Sequence, residues 1–579
     1  MKILGISAFY HDSAAALLAD GQLVAAFQEE RFSRIKNDNA FPKLAIDACL
    51  STVGWTIEDI DCVVFYEKPF WKLERIIQTV IRNVPFGIAQ FLKIVPLWAG
   101  KRLWLDQEIK TKLLYKGAIF YSGHHLSHIA LAFHSSPFDK AAYLCLDGVG
   151  ELATSSIGLC FENKIHCLHE QHFPDSLGLL YSAFAQYCGF KVNSGEYKLM
   201  GLAPYGKPIY KQLIYNTFLK ANEDGSFQLD MRYFHFTRGE SMINQRFEKA
   251  MGSKAAKEGD VNQPFYADVA ASIQLVLEEM VLKMLRFLKS KVSSDNLICS
   301  GGVFLNCKLN QRIVESGIFQ AYHFPQNPGD AGAAAGAAMA YDLALNQETY
   351  RPQLQLPLAF PLKSVDAGRT IEKYGIDAQK PKDLPNIIAG LLARKMVIAW
   401  YDDHIEFGPR ALGHTSILAD PRDGQMKEVL NQKIKRREAF RPFAPIVRKE
   451  VAHHYFELGN ANYDTMMVTA SAKSTTKELM PAAVHEDGTA RIQLISETSN
   501  PMLHSVLACF ESLTKCPGLI NTSLNVRGEP LAASYENALH CFLYTDIDFL
   551  VLNGQWLIDS SIKKDRLFRL IPQKIFEND

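Results

Sequence analysis

The sequence predicts an α/β protein of two domains, the first carrying a duplicated strand unit. Three observations predict it. The chain has 579 residues, and single hydrophobic cores stop growing near ~250–300 residues. A strand–turn–strand–turn–strand pattern occurs twice in the first half. The stretch from about Asn346 to Leu362, with Pro352, Pro357 and Pro361, loses helical periodicity and separates two regions of different texture. The division is 1–345, a linker over 346–365, and 366–579.

The first copy of the pattern reads as strands Ile3–Ser7 and Ala14–Leu18, a turn at Asp20-Gly21, and Leu23–Gln28. The second reads Tyr143–Leu146, a turn over 147–150, Thr154–Phe161, a turn near Asn163, and Ile165–His169. Two such copies resemble the plan of the duplicated actin/sugar-kinase ATPase core, which implies phosphates held at the turns after the first strands. An amphipathic helix follows at Asp268–Lys289, then a strand at Asn296–Cys299 running into Ser300-Gly301-Gly302. Glycines there let backbone approach a nucleotide closely, although a tight turn has the same signature. A helix is expected at 331–344. In the second domain, strands are expected at Met396–Trp400, Thr465–Ala470, Gly518–Asn521 and Phe549–Leu552.

Composition excludes several function classes. The apolar fraction is 48% and the formal net charge is zero, so no electrostatic argument favours nucleic acid or a membrane surface. Eleven cysteines without a CxxC pair read as reduced thiols of a cytoplasmic protein. The N-terminus opens directly on a strand, with no signal peptide expected. The apolar region from Ile76 to Gly100 is interrupted by Arg82, Asn83, Pro85, Lys93 and Pro96. It is too broken to span a bilayer and reads as amphipathic helices covering a cleft.

The chemistry centres on His124-His125-Leu126-Ser127-His128. Histidines at i and i+4 share a helix face and can converge on one ion. Asp147 ends a strand at a glycine turn, where an acid after four apolar residues is costly unless it binds something. Asp330 sits on the Asn327-Pro328-Gly329 loop. Two imidazoles and two carboxylates suit iron, zinc or manganese. An HxxxH pair alone also fits capping or surface histidines. In the second domain Arg410, Arg422, Lys435 and Arg441 are fixed cations among Gly and Pro, as in a phosphate pocket. Lys433, Arg436 and Arg437 read as a solvated face. Asn521 to Pro530 offers small polar side chains closing on Gly528, either an anion nest or a helix cap. His11 and Asp12, after the opening strand, are candidates to orient or deprotonate a substrate, with a plain Asp-capped turn as the alternative.

Taken together these motifs resemble the NodU/CmcH family of O-carbamoyltransferases. Further segments that carry the resemblance are Glu29-Glu30-Arg31-Phe32, Tyr66-Glu67-Lys68-Pro69 and Ser194 to Gly206. It covers nearly the whole chain. It implies an N-terminal metal-binding domain of the ATPase-core type and a C-terminal YrdC-like α/β domain. The C-terminal domain would make carbamoyl adenylate from carbamoyl phosphate and ATP. The N-terminal domain would pass the carbamoyl group to a hydroxyl of a sugar or secondary metabolite. By the resemblance, His124, His128, Asp147 and Asp330 ligate iron (Fe2+) or a similar divalent ion. Gly301, Gly302 and Asn306 hold nucleotide, supplied as ATP with Mg2+, and Glu196, Lys198 and Gly201 line the same cleft. Arg410, Lys435, Arg441 and Ser523 hold carbamoyl phosphate. Thr415 departs from the family, which carries a basic residue there; a lost guanidinium at a phosphate pocket costs about 1.5–3 kcal/mol. Three other readings are a degenerate nucleotide- and metal-binding regulator, a tRNA-modifying enzyme and a sugar-kinase-like phosphotransferase. The motif set opposes the first, the zero net charge the second, and HxxxH with the second domain the third.

Overall fold

A computed structural model describes residues 1–83, 92, 104–239, 241–257, 263–345, 354–362, 366–563 and 565–576. The expected cleft-covering helices therefore lie outside the described residues over most of 84–103, as does most of the expected linker. The chain forms two compact units. The first is Met1–Phe9, Ala14–Val24 and Trp55–Leu354; the second is Tyr10–Ser13, Ala25–Gly54 and Gln355–Asp579.

Two five-stranded sheets dominate the first unit. One contains β1 (Lys2–Ser7), β2 (Ala14–Ala19), β3 (Gln22–Gln28), β4 (Cys62–Phe65) and β5 (Ala118–Tyr121), in the order β3-β2-β1-β4-β5. The other contains β6 (Ala141–Leu146), β7 (Ala153–Phe161) and β8 (Lys164–His172). A short hairpin, β9 (Leu219–Ala221) and β10 (Phe227–Leu229), intervenes before β11 (Asn296–Ser300) and β12 (Ala321–His323) complete that sheet as β8-β7-β6-β11-β12. In both sheets the first strand pairs antiparallel with the second and parallel with a strand reached by a long crossover. Strand order and direction thus agree between the two.

Helices His124–Ser135 and Asp330–Leu345 pack against each other between the sheets, the second against β1, β2 and β4, the first against β11 and β6. The sequence of the second, AspAlaGlyAlaAlaAlaGlyAlaAlaMetAla, explains its position: small side chains let it be buried almost all round. Gly336 is required there, because a Cβ would collide with the carbonyl oxygen of Ser127 on the partner helix.

The second unit holds a pair β13 (Ala359–Pro361) and β15 (His404–Glu406), which brackets β14 (Ile398–Tyr401) in sequence. Its main sheet adds β16 (Thr415–Ala419) and β17 (Ala444–Arg448). A three-stranded sheet follows, of β18 (Phe456–Glu457), β19 (Ala470–Ala472) and β20 (Thr489–Ala490). With β21 (Gln493–Ile495), β22 (Gly518–Ser523), β23 (Phe549–Leu552) and β24 (Trp556–Asp559), the main sheet runs β21-β17-β22-β16-β14-β23-β24. Of the strand expected at Thr465–Ala470, only the last residue is extended; Met466 takes a left-handed backbone (φ 58°) that ends any strand there.

Residues Ala25–Gly54 join this unit through buried charge. Arg31 donates to the Gly408 carbonyl at 2.6 Å. Arg34 donates to Glu529 at 2.9 Å and to the Pro530 and Leu531 carbonyls at 2.7 and 2.6 Å.

Candidate metal centre and anion pocket

The first unit brings His124, His128, Asp147 and Asp330 together, all buried, with one ligand atom from each lying within 4.8 Å of the others. Helical spacing turns both imidazoles the same way, and their Nε2 atoms stand 3.1 Å apart. Asp147 follows the last residue of β6 and sets Oδ2 3.1 Å from His124 Nε2. Asp330 opens its helix and sets Oδ1 3.5 Å from both Nε2 atoms. Ligands ~2.1 Å from a tetrahedral ion stand about 3.4 Å apart. The observed edges of 3.1 and 3.5 Å therefore fit one divalent ion.

Electrostatics agree. Burial alone would push the His124 imidazole down, but Asp330 and the hydrogen bond with Asp147 outweigh it and raise its pKa to about 9. Burial works against ionisation of Asp147, yet its bond to His124 and the neighbouring imidazoles hold it well below the usual carboxylate range. In the absence of an ion a proton takes its place. His125 is no ligand. It turns to Ser156 at 2.9 Å, and burial, then the nearby His124 charge, push its pKa down to about 3.

Two further carboxylates, neither picked out as a site residue by sequence reasoning, stand beside these ligands. Glu151 accepts the N–H of His124 at 3.0 Å and of Lys68 at 2.8 Å, capping the helix start. Glu67 lies 4.0 Å from His124 Nδ1 and pairs with Lys72 at 2.7 Å. Glu67, one residue removed from the apolar strand β4, carries a weaker form of the signal that picked out Asp147.

The candidate nucleotide residues share this unit. Gly301 has φ 99°, and a Cβ there would collide with the Leu146 carbonyl, so the turn after β11 needs glycine. The Gly302 N–H donates to Asp147 Oδ1 at 3.0 Å, joining this turn to the metal ligands. Asn306 caps the helix Cys307–Glu315 through the Leu309 N–H and also bonds Gln274. Glu196 accepts from Ser182 at 2.6 Å and from the Asn193 N–H at 2.9 Å. Lys198 is buried on the same short helix, and Gly201 is half-buried.

In the second unit, Lys435 and Ser523 meet. The Lys435 ammonium donates to Ser523 Oγ at 3.0 Å, Asn525 Oδ1 at 2.7 Å and the Asn525 carbonyl at 3.0 Å, and also contacts the Ser523 carbonyl. Burial, then the nearby charge of Arg437, with Arg441 adding to it, pushes its pKa well below the lysine range. Burial and like charge disfavour the ammonium, and an arriving anion would offset both, so the pocket favours an anion. Arg441 stands 3.6 Å from Glu438, and Arg410 is half-exposed on its loop. Arg422, by contrast, forks onto Asp420 at 2.7 and 3.0 Å.

Thr415 is buried on β16 and donates its hydroxyl to Glu406 at 2.7 Å. Glu406 also accepts the N–H groups of Leu412, His414 and Thr415 at 2.7, 3.1 and 3.1 Å. Neutral donors thus satisfy this carboxylate where the resembled family has a cation. His11 and Asp12 belong to the second unit and pair at 3.1 Å.

A four-ligand centre at strand and helix ends of an α/β unit defines a metal-binding α/β protein. The family is then given by comparison: the carbamoyltransferase N-terminus matches residues 2–339 and the carbamoyltransferase C-terminus residues 389–559, and the chain belongs to the carbamoyltransferase family. It is accordingly an ATP-dependent O-carbamoyltransferase acting on a hydroxyl of a small-molecule acceptor. An uncharacterized protein of Synechocystis sp. is 41% identical, over 95% of this chain and 96% of that one. Nodulation protein NolNO of Sinorhizobium fredii is 34% identical, over 95% of this chain and 79% of its own. Component A of the (R)-2-hydroxyglutaryl-CoA dehydratase of Acidaminococcus fermentans overlays 59% of this chain and 99% of its own, at 13% identity and a TM-score of 0.34, too distant to carry an argument. Among the described residues no helix is long and apolar enough to cross a membrane.

Proposed function

We propose that the enzyme makes carbamoyl adenylate from carbamoyl phosphate and ATP and transfers its carbamoyl group to a sugar or secondary-metabolite hydroxyl, in the cytoplasm. The observation that carries this reading is the shared carboxylate of Asp147. It offers Oδ2 to the His124 cluster and Oδ1 to the Gly302 N–H, so nucleotide turn and metal ligands form one piece.

The domain assignment follows the same reading. Residues 1–345, apart from Tyr10–Ser13 and Ala25–Gly54, which group with the second unit, are a duplicated ATPase-core domain for transfer; 366–579 are a YrdC-like domain for carbamoyl phosphate and ATP. Arg410, Lys435, Arg441 and Ser523 hold the carbamoyl phosphate. Water cleaves it to carbamate and inorganic phosphate. A carbamate oxygen then attacks the α-phosphorus of ATP, and pyrophosphate leaves with Mg2+. Excluding bulk water protects these labile species. Gly301, Gly302 and Asn306, with Glu196, Lys198 and Gly201, bind the adenylate. The acceptor hydroxyl attacks the carbonyl carbon and gives its proton to a base, and AMP leaves.

His124, His128, Asp147 and Asp330 would hold iron(II) or a similar ion, which when bound polarises the carbamoyl carbonyl as a Lewis acid. The deciding experiment is pyrophosphate and AMP release from ATP by purified protein without acceptor. Release that depends on carbamoyl phosphate is expected. No release from folded, metal-loaded protein overturns the adenylating step.

A further inference from the structure

A second group of ligand-type side chains stands apart from the residues assigned above. Asp402 follows β14, His404 opens β15 and His414 precedes β16. His414 Nδ1 lies 3.0 and 2.9 Å from the two Asp402 oxygens. His404 Nδ1 lies 3.7 Å from Asp402 Oδ1, and the two imidazole centroids are 5.3 Å apart. One ligand atom from each residue falls within 4.8 Å of the others. Backbone fixes the arrangement: the His404 N–H donates to Asp402 Oδ1 at 2.9 Å, and the Asp402 N–H to the His414 carbonyl at 3.0 Å. An Asp402–His414 hydrogen bond alone would not need His404. That side chain is 47% exposed, yet it faces the same carboxylate.

We propose that Asp402, His404 and His414 form a second divalent-metal site, separate from the His124 cluster. Two imidazoles and one carboxylate select a borderline ion of the zinc, cobalt or nickel class over magnesium or calcium. Three protein ligands leave a coordination position for water, and the exposed side of His404 gives the ion a way in. Asp402 and His404 precede the Glu406–Gly413 loop and His414 follows it. The ion therefore ties the two ends of the loop that carries Arg410, acting as a positioning device.

The test is Co2+ titration of tag-free, chelator-stripped full-length protein, read by equilibrium dialysis and visible absorbance. Wild type is expected to bind two ions per chain. His404→Ala and Asp402→Asn are each expected to bind one, with affinity at the lost site weakened at least about tenfold. Thermal unfolding of each stripped variant checks the fold, and His404→Ala, at an exposed position, is the decisive one. In a His128→Ala background, Zn2+ should still raise the unfolding temperature, and His404→Ala should abolish that rise. Two ions bound with unchanged affinity in folded His404→Ala, or one ion in wild type that His128→Ala removes, overturns the proposal.

Discussion

In the first unit, four ligands from two helices and one strand end arrive at a single point, each already held by its own element. In the second unit, Lys435 is equally buried, yet its partners are neutral oxygens at and just after the end of β22, Ser523 and Asn525. The first group holds a proton where a metal ion fits; the second holds an amine whose charge an anion would stabilise. Preorganisation differs with sign. The two carboxylates must be pinned by their own elements because they repel one another, whereas the Lys435 side chain is held by neutral oxygens.

Substitutions break this comparison to different depths. Asp330→Asn should have the largest effect, lowering carbamoyl transfer by more than ~100-fold, since even groups outside the coordination shell are worth 10–100-fold. Bound metal measured by elemental analysis should fall with it, while adenylate formation persists. Lys435→Met should do the reverse: metal content stays, and carbamoyl-phosphate-dependent pyrophosphate release drops by about 100-fold. If Lys435→Met also strips the metal, the two groups are not independent.

Gly336→Ala touches no ligand. It should nonetheless weaken metal affinity by about tenfold, because the new Cβ separates the helices that bear Asp330 and His128. Calorimetry in buffers of different ionisation enthalpy should show proton release when the ion enters near neutral pH. The sign follows from His124. Its folded pKa of about 9 exceeds the ordinary 6.5. The stabilisation this gives the metal-free protein is fully present below pH 6.5 and lost as pH climbs through 9, whereas ion binding needs neutral imidazole and strengthens over the same range. Thr415→Val is the mildest change. It removes one of the hydrogen bonds on Glu406 and should cost about 1–2 kcal/mol in denaturant unfolding, with pyrophosphate release little altered.

Legibility in the sequence followed range. The i, i+4 histidines and the strand-end Asp147 are local patterns, and both were readable. The strands Phe549–Leu552 and Gly518–Asn521 were readable from β-branched and apolar runs, the second running two residues further, to Ser523. β17 was hidden because Pro445 sits inside it, a residue that argues against a strand. Glu151 was missed because what it holds, the start of the His124 helix, exists only once strands and helices meet. The placement of Ala25–Gly54 was illegible for the same reason. Hairpin periodicity says where β3 is, not that the chain after it pairs with residues beyond 400.

Arg34 and Glu529 are 495 positions apart in the chain. A ribosome adding ~5–20 residues per second needs roughly 25–100 s to cover that distance. During that interval Arg34 has been made and its carboxylate has not. The second unit can close only near the end of synthesis, around a segment that was among the first to emerge. A chain cut between residues 354 and 355 would accordingly leave its later fragment without Ala25–Gly54, and that fragment should fold only when the early segment is supplied in trans.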